Sequence, residues 1–372
     1  MSLNAQIIKN IKNENNSLLK EFTKVKNFNL KFQSYKKFKT VIIIGMGGSI
    51  LGAKAIYSFL KHKIKKKFIF IDNLDEQLLN KVKKKNNLSN SLFLIISKSG
   101  NTDETVLNTF FFKSFLKKKN TIVVSESKNS FLRKFAKNNN FLFVEHKKYI
   151  GGRYSVLSDV GILPAYFMGL NIKNFQKTSK KFINNKKFLF KSIQTIKKLK
   201  VQKSNIIILF NYIPELNDFL YWSQQLFAES LGKSKKGFMP IVSNAPKDHH
   251  SLLQLYLDGP KDKIFYVFST KNTINLKTNS KFFGKEMQHL NKKRYNDIKL
   301  SQKNAFVKAL KSKKIPIREI FVKKINEKNL CELFLTFIFE TILLGKIMKV
   351  NPFNQPAVEN VKILTKKILN SK

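Results

Sequence analysis

The feature that most constrains the fold is a strand-like run followed at once by a glycine-rich turn and a helix-like segment. Residues 40–44 read Thr-Val-Ile-Ile-Ile, residues 45–49 read Gly-Met-Gly-Gly-Ser, and residues 51–60 have helical periodicity. This order is typical of α/β proteins. It recurs along the first half of the chain, with further predicted strands at 68–71, 91–96, 121–124 and 141–144 and predicted helices from about 75, at 103–116 and at 130–137. Because parallel strands need a crossover connection such as a helix, we predict a parallel sheet with helices on both faces.

The same alternation restarts in the second half of the chain. Predicted strands lie at 205–210, 264–268 and 317–322, and predicted helices at 214–231, at 330–348 and from 357 onward. Residues up to about 36 indicate one or two amphipathic helices, and residues 171–200 indicate a helix and a connection. A chain of 372 residues is long enough for two domains. We predict a first α/β domain with N-terminal helices at 1–175, a second α/β domain at 176–348 and a C-terminal tail at 349–372.

The formal charge of +48 raises the possibility of nucleic-acid binding through phosphate contacts. Nearly all the excess is lysine, scattered in short runs, and Asn, Ile and Phe are enriched as well. A- and T-rich codons encode these four residue types, so we interpret the charge as a drift in the composition of the source genome. Nucleic-acid binding remains an alternative, but we predict no nucleic-acid partner.

The single cysteine, Cys331, cannot form a disulfide within the chain or a cysteine-based metal cluster, which suits a reducing compartment. The N-terminal residues lack the apolar run of a signal peptide, and no window has the roughly 18 apolar residues of a membrane span. We therefore expect a cytoplasmic protein with no membrane partner.

Arginine is scarce in this chain, and one arginine lies in a distinctive segment. It stands at positions 133, 153, 294 and 318 only, whereas lysine supplies the other basic residues. Arg153 follows two glycines in the run Gly-Gly-Arg-Tyr-Ser-Val-Leu-Ser at 151–158. A planar guanidinium holds an oxyanion in a fixed orientation, and glycines let the backbone approach a ligand closely. Arg153 is therefore a candidate site residue, with an ordinary surface-turn arginine as the alternative.

The glycine-rich turns do not match the common nucleotide-binding motifs. A dinucleotide fingerprint would need glycine at position 50, where Ile50 stands. A P-loop ending at Gly232-Lys233-Ser234 would need glycine at 227, where Phe227 stands. Both dinucleotide and nucleoside triphosphate binding are disfavoured.

The loop at 97–102, Ser-Lys-Ser-Gly-Asn-Thr, is a stronger signal because it lies between a predicted buried strand and a helix start. Asn101 or Thr102 is expected to cap that helix, with Glu104 completing a capping box. Hydroxyls, free amides and the positive end of a helix bind phosphate well. The loop therefore indicates a sugar-phosphate site, and a plain capped turn is the alternative.

The second half contains candidate acids and bases. Gln225 and Glu229 are four residues apart on a predicted helix and share a face; a solvated or ion-paired Glu229 is the alternative. His249 and His250 are adjacent, but no spaced histidine or cysteine ligands accompany them, so metal binding has little support.

Taken together, these segments resemble the phosphoglucose isomerase family over residues 40–365 or so. The resemblance implies that Glu229, in Glu-Ser-x-Gly-Lys, is the isomerisation base, and that Arg153, in Gly-Gly-Arg-Tyr-Ser, stabilises an enediolate. It implies that His250 helps to open the sugar ring, and that Lys362, in Gln-x-x-Val-Glu-x-x-Lys, assists this step. Further residues are implied to bind substrate, namely Gly48, Ser49, Ser97, Lys98, Ser99, Thr102, Gln225 and Gln355, with Thr105 in the same phosphate-loop pattern.

The resemblance also implies the fold and the reaction. Each predicted domain is expected to be of the sugar-isomerase (SIS) type. The expected activity is the interconversion of glucose 6-phosphate and fructose 6-phosphate, in glycolysis and gluconeogenesis, by ring opening and proton transfer through a cis-enediolate. No cofactor and no metal are implied. The family's assembly implies a homodimer in which His250 crosses into the neighbouring subunit's site. The alternative from another class is a non-catalytic regulator that binds sugar phosphates, and other hexose phosphates also fit the pattern.

Overall fold

The computed structural model describes residues 13, 16–185, 192, 194–196, 204–271, 276–279 and 283–371. Within these residues the chain forms two parallel β-sheets, one in each half of the sequence, with helices packed on their faces. The mixed α/β architecture predicted from the sequence is therefore confirmed.

The first sheet contains five parallel strands in the order β2-β1-β3-β4-β5. Its strands are β1 Thr40–Gly45, β2 Lys67–Ile71, β3 Ser91–Ile96, β4 Thr121–Ser125 and β5 Leu142–Glu145. All five were predicted. The central strand β3 is buried along its whole length, which its continuous apolar run requires.

Seven helices accompany the first sheet within the described residues. They are α1 Asn16–Thr23, α2 Asn29–Phe32, α3 Leu51–Phe59, α4 Glu76–Lys85, α5 Asp103–Phe111, α6 Phe131–Asn138 and α7 Asp159–Phe167. Helix α5 is shorter than the predicted 103–116, because the chain tightens into a 3₁₀ turn at Lys113–Phe115.

The second sheet contains four parallel strands in the order β7-β6-β8-β9. Its strands are β6 Ile206–Asn211, β7 Met239–Asn244, β8 Lys263–Thr270 and β9 Ile317–Val322. Strand β7 was not predicted. It lies at an edge of the sheet, is only partly buried and contains Pro240, so it lacks the apolar run that marks the other strands.

Six helices belong to the second half within the described residues. They are α8 Ile172–Asn184, α9 Asn217–Leu231, α10 Leu253–Asp258, α11 Tyr295–Ser312, α12 Glu327–Met348 and α13 Ala357–Asn370. Helix α11 was not predicted from the sequence. Part of the predicted connection at 171–200 lies outside the described residues, and α8 runs across the predicted boundary at 175/176; the domain boundaries remain a prediction.

A shared apolar core joins the two halves. Residues of β1 and β6 belong to the same buried cluster, and α3 packs against α9, which in turn packs against α12. The outer faces of the two sheets have separate cores. This packing holds α9 beside the turn that follows β1, and that junction is where the candidate site lies. None of the helices in the described part of the chain has the length and apolarity to span a bilayer.

Candidate active site

A cavity of about 780 Å³ lies at the carboxyl ends of the first sheet's strands, facing α9 and α13. Loops after parallel strands share one edge of a sheet, and ligands of open α/β sheets bind at this edge. Predicted site residues make up much of its lining, namely Gly48, Ser49, Lys98, Ser99, Thr102, Arg153, Gln225, Glu229, Gln355 and Lys362.

The loop after β3 is held in one conformation by its own hydroxyls. Ser97, which is buried below the surface of the cavity, places its Oγ 3.0 Å from Thr102 Oγ1, and Ser99 Oγ lies 3.2 Å from the same atom. Gly100 adopts φ +68°, and a Cβ there would lie 2.3 Å from Ser130 Oγ. The glycine is therefore required both for the backbone conformation and for the close approach of the next loop.

The predicted capping box is wrong. Thr102 is the N-cap residue of α5, but it makes no side-chain cap hydrogen bond. Its hydroxyl is engaged with the two serines, and Asn101 Oδ1 instead accepts a hydrogen bond from the backbone N–H of Phe131 at 2.8 Å. The first amides of α5 thus have no side-chain cap, which suits an anion at this helix end.

The glycine-rich turn after β1 packs directly on the segment that contains Arg153. A Cβ on Gly48 would lie 2.2 Å from the carbonyl carbon of Gly152. Ser155 Oγ donates to the carbonyl oxygen of Gly48 at 3.3 Å. Close backbone contact between the two glycines therefore places the guanidinium at the end of the first sheet.

Arg153 is 2% exposed, and each of its five N–H donors has an acceptor. Nε donates to Ser230 Oγ at 2.7 Å. Nη1 donates to Glu229 Oε2 at 3.0 Å and to Gln355 Oε1 at 2.9 Å, and Nη2 donates to two tail carbonyls, those of Pro352 at 2.7 Å and Asn354 at 3.2 Å. A lysine could not satisfy this planar set, so the alternative of a surface-turn arginine is wrong.

Glu229 is held at both carboxylate oxygens. Arg153 donates to Oε2, and Gln225 Nε2 donates to Oε1 at 3.0 Å from one helical turn earlier, as their spacing predicts. The Glu229 side chain remains 33% exposed and lines the cavity. The carboxylate is therefore oriented but still accessible to a ligand.

The tail brings Gln355 and Lys362 to the cavity from the far end of the sequence. Lys362 Nζ lies 2.8 Å from Glu359 Oε1, and its side chain is 59% exposed. Helix α13, which carries Lys362, has no buried residue in this single chain.

The lining also includes residues that were not singled out from the sequence, among them Glu126 after β4 and His146 after β5. Glu126 Oε1 lies 3.6 Å from Lys98 Nζ. Burial lowers the pKa of Lys98, and Glu126 opposes that effect. Burial lowers the pKa of His146 to about 4, so its ring is neutral near pH 7; Nδ1 donates to the Lys147 carbonyl oxygen at 3.1 Å. Their position directly after predicted parallel strands was the available signal.

His250 lies apart from the other predicted residues. Its side chain is exposed and is not part of the cavity lining within the described residues. The neighbouring His249 is fixed by Tyr212, whose hydroxyl lies 2.7 Å from Nε2, and by stacking on Phe210. Asp248 accepts hydrogen bonds from Ser243 Oγ and the Asn244 amide, which fixes the turn. His250 is therefore exposed to solvent outside the cavity of this chain.

The cavity offers two different chemistries. The end near Ser99 and Thr102 supplies hydroxyls, helix amides and the Lys98 ammonium, which bind an anion. The other end supplies a carboxylate beside a guanidinium, which suits a proton transfer that develops negative charge. No grouping of three or more metal-ligating side chains occurs among the residues that the structure describes.

Comparison with known proteins identifies the relatives of the chain. The sequence model of the family described as Phosphoglucose isomerase matches residues 4–372. The chain is 33% identical over 344 residues to the glucose-6-phosphate isomerase of Methanocaldococcus jannaschii, covering 89% of this chain and 84% of that protein. It is 32% identical over 365 residues to the glucose-6-phosphate isomerase of Campylobacter jejuni, covering 92% and 88%.

Solved structures show the same fold. A glucose-6-phosphate isomerase from Chlamydia trachomatis superposes with a TM-score of 0.74 at 20% identity, covering all of this chain and 75% of that chain. Glucosamine-6-phosphate deaminase from Thermotoga maritima gives a TM-score of 0.58 at 16% identity, covering 95% and 98%. The prediction of two sugar-isomerase-type halves is confirmed.

Proposed function

We propose that this chain, which belongs to the phosphoglucose isomerase family, interconverts glucose 6-phosphate and fructose 6-phosphate. The observation that carries the proposal is the Glu229 carboxylate, held between Arg153 and Gln225 in the cavity that also contains the hydroxyl-rich loop. Glu229 and Arg153 supply the groups for proton transfer, and the loop after β3 supplies a site for the phosphate. The reaction belongs to glycolysis and gluconeogenesis.

The phosphate group binds at the loop after β3. Ser97 and Ser99 fix Thr102, and the uncapped first turn of α5 directs its amides at the anion. Lys98 supplies a cation, and Gly48 and Ser49 complete this end of the cavity. Holding the phosphate limits the positions that the reacting carbons at the other end can take.

Ring opening precedes isomerisation because hexose phosphates are mostly cyclic. Lys362 lies at the cavity, where it can act on the ring oxygen, and His250 of a second subunit is the other candidate. Gln355 is joined to Arg153 and so fixes the tail next to the reacting carbons.

Proton transfer is assigned to Glu229. Its carboxylate takes the proton from one carbon and returns it to the neighbouring carbon, with a cis-enediolate between the two steps. When Glu229 takes up the proton, it loses the negative charge that faces Arg153. The enediolate then supplies the negative charge near the guanidinium, so Arg153 favours this intermediate more than the neutral carbonyl. None of these steps requires a metal or an organic cofactor.

We also propose a homodimer in which His250 enters the neighbouring subunit's cavity. Two observations support it: His250 is exposed and does not line the cavity of its own chain, and α13 leaves the apolar residues Val361, Leu364 and Ile368 exposed. A cytoplasmic location is proposed from the single, buried cysteine, Cys331.

The test is a coupled assay of purified protein with glucose 6-phosphate in the presence of a chelator, with fructose 6-phosphate formation as the signal. Conversion that persists with chelator supports the proposal. Binding of glucose 6-phosphate by calorimetry without any conversion would overturn it in favour of a non-catalytic regulator.

A further inference from the structure

The C-terminal tail is attached to the end of α9 by residues that follow Glu229 in sequence. Ser230 accepts from Arg153 Nε and lies 3.0 Å from the Tyr154 hydroxyl, which donates to the Pro352 carbonyl at 3.0 Å. Lys233 Nζ donates to the Ser230 carbonyl at 2.7 Å and to the Asn351 carbonyl at 2.6 Å. A single ammonium thus joins the last turn of α9 to the first residues of the tail.

The backbone around Lys233 forms a turn closed by hydrogen bonds. The backbone N–H groups of Lys233 and Lys236 each donate to the other residue's carbonyl, at 3.0 and 2.9 Å, which closes a tight turn. Ser234 and Lys235 adopt φ +52° and +58° in this turn, a conformation that L-residues rarely hold unless their surroundings enforce it. The turn therefore fixes the direction in which the lysine side chain leaves the backbone.

The surroundings of Lys233 contain groups that favour its ammonium and groups that oppose it. Carbonyls in the last turn of a helix have no partner within the helix and lie at the negative end of its dipole. Lys233 donates to one of them, the carbonyl of Ser230. Burial and the nearby Arg153 oppose the charge and lower the pKa of Lys233 to about 8, while Glu229 favours the charged form. Lys233 does not line the cavity within the described residues, so direct contact with substrate is not its role.

We infer that Lys233 is a positioning residue: it clamps the Asn351 carbonyl to the end of α9, and so keeps Gln355 and Lys362 over Glu229. The kinetic test of this inference rests on the proposed function, whereas the exchange test does not. Asn351 lies four residues before Gln355. Between them, the carbonyls of Pro352 and Asn354 accept hydrogen bonds from Arg153. Without the hydrogen bond from Lys233, the carbonyls at the start of the tail are held by Arg153 and Tyr154.

Lys236 provides a matched control. Its Nζ donates to the Met348 carbonyl at 2.9 Å, which is a bond of the same kind to the last residue of α12 rather than to the tail. Lys233→Met is expected to lower kcat for glucose 6-phosphate about tenfold, because small misplacements of catalytic groups are costly, and to change KM less than about twofold, because the phosphate loop is intact. Lys236→Met should change neither by more than about twofold, and Lys233→Arg should restore most of the turnover.

A second measurement does not depend on activity. Amide hydrogen exchange in peptides covering residues 349–362 should be faster in Lys233→Met than in the wild type and in Lys236→Met. Equal kinetics and equal exchange in the two methionine variants would overturn the inference, and so would a raised KM with unchanged kcat. If Lys233→Met does not melt cooperatively, Lys233→Gln takes its place, with the same expected and contrary results. If the wild type shows no isomerase activity, the proposed function fails, and the exchange experiment still decides on the clamp.

Discussion

Arg153 Nη1 lies 3.0 Å from Glu229 Oε2, and these two residues come from different halves of the chain. The guanidinium is buried, whereas the carboxylate is partly exposed to the cavity. An arginine that is buried without its acceptors would cost several kcal/mol, so the surrounding carbonyls and hydroxyls are needed to keep the charge in place. The pair therefore links the tail to the residue proposed to transfer the proton.

Glu229→Gln is expected to lower kcat at least roughly 10²-fold, because the amide cannot accept the proton that the carboxylate transfers. The isosteric side chain still accepts a hydrogen bond from Arg153, so the fold should be retained. The measurement is steady-state kinetics, with Glu215→Gln, an exposed residue in the turn before α9, as the control. Turnover near the wild-type value would refute the role of Glu229.

Arg153→Lys is expected to reduce both turnover and stability. Lysine has three donors and no planar fork, so it leaves acceptors among Ser230, Pro352 and Asn354 without a partner. Hydrogen bonds to charged groups contribute about 1.5–3 kcal/mol each, and loss of an oxyanion stabiliser costs about 10²-fold in kcat.

Urea unfolding and steady-state kinetics together check this prediction. The control is Arg294→Lys at an exposed surface pair with Asp297, where we expect a change in the free energy of unfolding of no more than about 0.5 kcal/mol. An Arg153→Lys variant as stable and as active as the control would contradict the geometry described here.

His250 can be tested for crossing between subunits by mixing two inactive variants. Glu229→Gln and His250→Asn subunits are unfolded together and refolded as a mixture. In a mixed dimer with crossing histidines, one site has both an intact Glu229 and an intact His250, so activity should reappear. If His250 serves its own subunit, each site in the mixed dimer lacks one group and the mixture stays inactive, which is the outcome that rejects the crossing.

His146 should make the folded state sensitive to acid. Its pKa is about 4 when folded, against an ordinary value of 6.5, because burial disfavours the charged ring. As the pH falls from 6.5 to 4, the unfolded chain binds a proton that the folded chain does not bind, so stability is lost over this window. The loss approaches about 3 kcal/mol for a shift of this size.

The variant His146→Gln lacks this titration. Its free energy of unfolding, measured in urea between pH 7 and pH 4.5, should therefore fall less than that of the wild type. If the free energy of unfolding falls equally with pH in the two proteins, the buried ring of His146 does not contribute to the acid sensitivity. The comparison isolates one residue because every carboxylate titrates in both proteins.

Much of the fold could be predicted because strands and helices depend on local pattern. The run at 40–44 and the turn after it predicted β1 and α3. Strand β7 was missed because Pro240 and its half-exposed edge position remove the apolar signal. The cap expected from Asn101 or Thr102 was wrong, because Asn101 Oδ1 accepts from the Phe131 amide and the Thr102 hydroxyl pairs with Ser97 and Ser99.

The sequence by itself determined which residue types were present for the chemistry: a rare arginine behind two glycines, a glutamate on a helix, and a loop of hydroxyls before another helix. Only the tertiary structure decided that Arg153 uses all five donors, that Lys233 donates to the Asn351 carbonyl, and that His250 lies outside the lining of its own cavity. The physical reason is the distance along the sequence over which each interaction acts. Turn and helix preferences act between neighbouring residues, whereas the partners of a buried charge come from whichever distant segments the core packs against it.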